Sequence, residues 1–146
     1  MNEEKEIYLL FKEGLNYYRE GNYFDAHESW EELWSDYYLP DRRFIQGLIQ
    51  LSVSFVHLER DNLKGARSLL NKSIEKFEEF KELQRGINVT NLLIDIYKVR
   101  ESYEKLTSVS NFQGSPLNRR FISAICISCQ MVFLKRKIKS CARAIR

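Results

Sequence analysis

The chain has 146 residues, 44% of them hydrophobic and 29% charged, with six glycines, two prolines and three cysteines. That length suits one domain able to bury a core without staples, and the scarcity of Gly and Pro favours helix over sheet. No apolar run approaches the roughly 18 residues of a membrane-spanning helix, and the acidic, interrupted start is not that of a signal peptide.

Net charge divides the chain. Residues 1–106 carry 15 Lys and Arg against 20 Asp and Glu, whereas residues 107–146 carry eight basic residues and no acidic one. All three cysteines, Cys126, Cys129 and Cys141, fall in the basic part. An odd number without a secretory framework predicts reduced thiols in a cytoplasmic protein.

In chain order, Ile7, Leu10, Phe11, Leu15 and Tyr18 recur at helical spacing and predict a first helix from about Glu4 to Arg19. Gly21 suits a left-handed stop, and Asn22 is placed to cap the next helix with its side chain. A second helix, Tyr23 to Asp36, puts Tyr23, Ala26, His27, Trp30, Leu33 and Trp34 on one face. Asp25, Glu28, Ser29 and Glu32 fall on the opposite, water-facing side. After the Tyr37–Pro40 connection, with Asp41 as a cap, a third helix to about Arg60 is apolar almost all round and reads as buried. Its polar exceptions, Arg43, Gln46, Gln50 and His57, form one stripe, beside which Gly47 admits a close neighbour. A fourth helix is predicted from Asn62 to about Leu83, a break at Gly86–Asn88, and a fifth helix from Val89 to Leu106. Thr107–Asn118 reads as linker. Phe121–Leu134 is an apolar stretch too short to span a bilayer, expected to pack on the bundle or a second copy, with attraction to a membrane surface through the basic Lys135–Lys139 run as the alternative.

Reflecting the third helix onto the second about Tyr38–Leu39 sets His27 level with Gln50, Glu31 with Gln46 and Gly47, and Trp34 near Arg43. Members of each i, i+4 pair share a face, so His27, Glu31, Gln46 and Gln50 predict a polar ladder between the helices, with Arg43 near Glu31. Buried amides and imidazoles must find partners, so such a ladder would hold the hairpin in register. Alternatively, His27, Glu31 and His57 supply imidazole and carboxylate ligands for a divalent metal. Glu28 would then be the base of a hydrolase, provided it turned inward from its water-facing place. His57 lies two turns beyond Gln50, about 10 Å from the level of His27 at 1.5 Å rise per residue. Trp30 and Trp34 read as core. Cys126-x-x-Cys129 is a lone pair, without the second pair of a zinc site. The basic run lacks an aromatic platform, so nucleic acid is not the expected partner.

Gly14, Tyr17, Gly21, Ala26 and Trp30 resemble one tetratricopeptide unit, but Ala66 follows Ala26 by forty residues rather than about 34, which argues against an array. A second resemblance covers more. Gly21-Asn22-Tyr23-Phe24-x-Ala26-His27-Glu28-x-Trp30-Glu31-x-x-Trp34, then Arg43-Phe44-x-Gln46-Gly47-Leu48-Ile49-Gln50 and His57, are similar to the bacterial and archaeal domain of unknown function 309 family. The resemblance implies a small all-α bundle and no particular activity. The expectation is a compact all-α bundle of about five helices, residues 1–106, around a buried helix 2/helix 3 hairpin, with a linker and basic extension over 107–146. Its expected role is structural or in protein interaction, with a protein partner or a second copy, and the metal-dependent hydrolase is the alternative.

Overall fold

The structure, a computed structural model, describes residues 2–105. Five helices follow one another: α1 Glu3–Arg19, α2 Tyr23–Asp36, α3 Arg42–Glu59, α4 Leu63–Phe77 and α5 Val89–Lys105. The first three agree with the sequence periodicity to within a residue at each end. The expected linker, the apolar stretch, the basic run and the three cysteines lie outside the described residues.

Each helix packs on the one before it: α2 on α1, α3 on α2, α4 on α3 and α5 on α4. Short connections between amphipathic helices make neighbours in sequence neighbours in space. α3 is the central member, and its buried residues, from Phe44 and Ile45 through Leu51, Phe55 and Leu58, face both α2 and α4. Close approach to α4 depends on Gly47. A Cβ there would meet the Phe77 ring at 2.9 Å and the Lys76 Cβ at 3.2 Å.

Local signals start and stop these helices, though not always as predicted. The Asn2 side chain accepts from the Glu4 amide at 3.0 Å and caps α1. Gly21 takes φ +79°, the left-handed conformation that ends α1. Asn22 occupies the cap position of α2 without capping it, because its side-chain amide donates to the Asp25 carboxylate. Asp41 likewise makes no side-chain cap for α3. Its carboxylate instead accepts from Arg85 Nε at 2.5 Å and Nη2 at 2.8 Å, and a guanidinium satisfies both carboxylate oxygens where an amide satisfies one.

The fourth helix is shorter than the periodicity suggests. It ends at Phe77, and β1 Leu83–Gln84 then pairs antiparallel with β2 Ile87–Asn88. Glu82, Arg85 and Gly86 all have positive φ, incompatible with a continuing helix. Phe80 still reaches the core, its ring edge-on to Phe44 at 5.6 Å, through the turn rather than along α4.

Candidate functional site

The α2–α3 register is close to the reflected one. Tyr23 meets Phe55 with ring centroids 4.9 Å apart, and the Arg42 guanidinium lies 3.8 Å from the Trp34 ring centroid. Within that register the expected ladder is not the bonding pattern found. His27 Nδ1 lies 2.6 Å from the Phe24 carbonyl on its own helix, and only an N–H can face a carbonyl at that distance. Arg43 forms a bidentate pair with Glu79 instead of approaching Glu31. That pairing holds the Glu79 carboxyl below its ordinary range and raises the guanidinium. Gln46 is half-buried, and the Gln50 side-chain oxygen is buried without a hydrogen-bond partner among the described residues.

His27, Glu28 and Glu31 do come together. His27 Nε2 lies 3.2 Å from Glu28 Oε1 and 3.9 Å from Glu31 Oε2. One ligand atom from each of the three lies within 4.8 Å of the others. With Nδ1 donating to Phe24, the remaining nitrogen faces two carboxylate oxygens, an arrangement that a positive charge between them satisfies. The imidazole is mostly covered, at 14% exposure, while both carboxylates are more than half exposed. His57 stands apart from this group. Its Nδ1 is 3.1 Å from the Asn62 amide nitrogen at the α3–α4 turn, where Asn62 also caps Gly65.

Trp30 is core, as expected: it is fully buried and its indole N–H donates to the Phe11 carbonyl at 3.2 Å. Trp34 is only half-buried, and its indole nitrogen has no hydrogen-bond partner among the described residues. It borders a groove of about 610 Å³ between α1 and α2, lined by Glu13, Asp25, Glu28, Glu31, Glu32 and Asp36 together with Tyr17, Ser29 and Ser35. No lysine or arginine lines it. The groove continues along α1 past Glu6, Leu9, Leu10, Asn16 and Tyr37, with Lys12 the single cation there. Tyr37 donates to Glu6 at 3.1 Å, and that bond, with burial, raises its phenol.

The groove corrects one sequence expectation. Ser29, assigned to the water-facing side of α2, is buried at 7% exposure with its hydroxyl donating to Glu13 at 3.3 Å, because α1 packs along that edge. A helical wheel of α2 shows the acidic face but not what stands beside it. The missing signal lay in Glu13 and Tyr17, an i, i+4 pair on the α1 face turned to the same side.

The six-carboxylate part of the groove, the histidine cluster and the α2–α3 hairpin all fall within one contiguous stretch of chain. Residues 11–69 match the family described as domain of unknown function (DUF309). The matched segment takes in the second half of α1, all of α2 and α3, and the start of α4. A curated relative, the uncharacterized protein YpuF of Bacillus subtilis (strain 168), is 32% identical over 96 residues, which are 64% of this chain and 53% of YpuF. The chain therefore spans about half the length of that relative. No solved structure matches the chain. Among the described residues no helix is long and apolar enough to cross a membrane.

Proposed function

We propose that this DUF309 domain is a protein-interaction module whose α1–α2 groove receives a basic segment of a partner protein. The observation that carries this reading is the lining of the groove's α2 part, six carboxylates and no lysine or arginine beside Tyr17 and Trp34, with Lys12 the single cation where it continues along α1. Carboxylates gathered on one surface repel one another, and a cationic segment removes that repulsion while its side-chain stems cover the Tyr17 ring. Nucleic acid, itself a polyanion, is repelled by the same face. The cytoplasmic setting suggested by the cysteine pattern belongs to this proposal.

Exposed ion pairs contribute about 0.2 to 1 kcal/mol each, so a single substitution tests the groove poorly. Glu13→Gln, Glu28→Gln and Glu32→Gln together are expected to weaken binding of a lysine- and arginine-rich peptide about ten-fold, equivalent to roughly 1.4 kcal/mol. Fluorescence anisotropy of the labelled peptide measures it. Equal affinity for wild type and triple variant would rule the groove out.

A second reading rests on a separate observation, the convergence of His27, Glu28 and Glu31. We infer a divalent-cation site there. The Phe24 carbonyl fixes the imidazole tautomer and turns Nε2 toward the carboxylates, and exposure on the carboxylate side leaves room for water to complete the shell. Calorimetric titration with zinc is expected to give one equivalent bound, lost in His27→Ala and retained in His57→Ala. Retention in His27→Ala would contradict this assignment.

A further inference from the structure

We propose that the outward face of α1 is a self-association surface, on which a second copy of the chain lays its own α1 in parallel about a two-fold axis. Self-association goes beyond the groove reading and does not rest on it. Its first support is that α1–α2 and α3–α4 are one unit built twice, forty residues apart. The amides of Glu20, Gly21, Asn22 and Ala26 donate to the carbonyls of Asn16, Tyr18, Tyr17 and Asn22, and those of Arg60, Asp61, Asn62 and Ala66 donate to Val56, Leu58, His57 and Asn62. Gly21 and Asp61 take positive φ at the same place, +79° and +59°. Helices α1 and α3 are therefore equivalent.

On α3, Gly47 and Ser54 face α4. At about 100° per residue, Ile45, Ile49, Ser52 and Val56 lie on the opposite side, where α2 packs, and all four are buried. The equivalent residues of α1 are Lys5, Leu9, Lys12 and Asn16. Helix α1 packs on α2 through the side that carries Gly14, and on its other side Lys5, Leu9 and Asn16 are exposed. Tyr8 and Leu9 are 58% and 46% exposed, whereas their counterparts Leu48 and Ile49 are 3% and 8% exposed. The unit thus presents on α1 a helix-receiving face that on α3 is filled.

The charges select the occupant. Leu9 and Asn16 are seven residues apart, as are the members of the row Lys5, Lys12 and Arg19 and of the row Glu6, Glu13 and Glu20. The Leu9–Asn16 line therefore has the cations on one flank and the acids on the other, each about 40° to 60° away at 100° per residue. Lys12 and Arg19 do stand together: burial, and then the Arg19 charge, hold the Lys12 ammonium below its ordinary value. Glu6 and Glu13 accept within the protomer from the hydroxyls of Tyr37 and Ser29, which carry no charge. A second α1, turned about an axis parallel to the helix, sets its cation row against these acids and its acid row against these cations, with Leu9 meeting Leu9 between them. An antiparallel copy would set like rows together, so charge fixes the orientation as well as the partner. Residues 107–146, basic and without an acid, complement only one of the two rows. Exposed ion pairs are individually weak, and the resulting dimer is weak and salt-sensitive.

Sedimentation of the full chain over a range of concentrations reads the association at about 0.01 M and about 1 M salt, between which screening shortens from about 30 Å to about 3 Å. A monomer–dimer equilibrium is expected at low salt, shifting to monomer at high salt. A single chain at every concentration overturns the proposal, and so does a dimer indifferent to salt. Wild type that stays monomeric yet binds the lysine- and arginine-rich peptide overturns self-association and leaves the groove reading standing. Two variants locate the surface. Lys5→Glu with Lys12→Glu makes both rows acidic, and Glu6→Lys with Glu13→Lys makes both basic. Each alone is expected to dimerise at least about ten-fold more weakly than wild type, and an equimolar mixture is expected to recover the dimer. A dimer that survives either reversal overturns the assignment, as does a mixture that stays monomeric while circular dichroism shows both variants helical. Carbodiimide treatment of mixed isotope-labelled and unlabelled wild type needs no variant. It is expected to join Lys12 of one copy to Glu13 of the other, and links between copies that avoid α1 overturn the assignment.

Discussion

Trp30 and Gly14 together set how closely α1 can lie on α2. The indole is fully buried, bonded to the Phe11 carbonyl, stacked near the Phe11 ring and tilted against Tyr18. A Cβ on Gly14 would sit 2.4 Å from its ring nitrogen, a separation that forces either the indole or the helix to move. Overpacking of this kind costs about 1 to 3 kcal/mol, so Gly14→Ala is expected to lower the melting temperature by roughly 4 to 20 °C in a domain of this size. An unchanged melting curve would show that the interface is not close-packed there. Gly14 and Trp30 were legible in sequence as the small and aromatic positions of a helical hairpin. His27 was legible only in part. Its place in the apolar stripe explains its burial, yet its bonds run along α2, to Phe24 and toward Glu28 and Glu31. The wheel sent Glu28 away from His27, because it treats a side chain as a radial spoke. A glutamate stem can fold back around the helix, and Glu28 does so while remaining exposed.

Among the elements, the hairpin after α4 carries the least sequence signal and a clear tertiary tie. Lys76 to Leu83 continues in helix-forming residues, and nothing local forbids another turn and a half. The chain leaves the helix where Phe80 can meet Phe44 and Arg85 can reach Asp41. These long-range contacts outweigh a propensity of a few tenths of a kcal/mol per residue. The Arg85–Asp41 pair is four-fifths buried on both sides, and the guanidinium also lies 5.2 Å from the Phe11 ring centroid. Hydrogen bonds to charged groups contribute about 1.5 to 3 kcal/mol. Arg85→Ala should therefore destabilise the domain by about that amount, read by denaturant unfolding. Faster amide exchange at Val89, whose N–H donates to the Glu82 carbonyl at 3.0 Å, should accompany it, while α2 amides stay protected. Unaltered exchange at Val89 would mean that the hairpin is held by other contacts.

At the scale of the whole molecule, periodicity was enough to predict an all-α bundle with α3 at its centre, because a helix apolar all round has nowhere to go but between neighbours. The groove was not legible, since it belongs to two helices at once and each contributes residues that look merely solvated when taken singly. The same holds for the charge partition: composition shows that acids and bases separate along the chain, and only the packing shows that six acids line one groove. That surface is the basis of the proposed function, and chemical-shift mapping tests it most directly. On adding a lysine- and arginine-rich peptide to the full chain, shifts are expected to concentrate at Glu13, Tyr17, Ser29, Glu32 and the Trp34 indole N–H, saturating together and suppressed by salt. Shifts confined to α4 and α5, or no shifts at all, would contradict it.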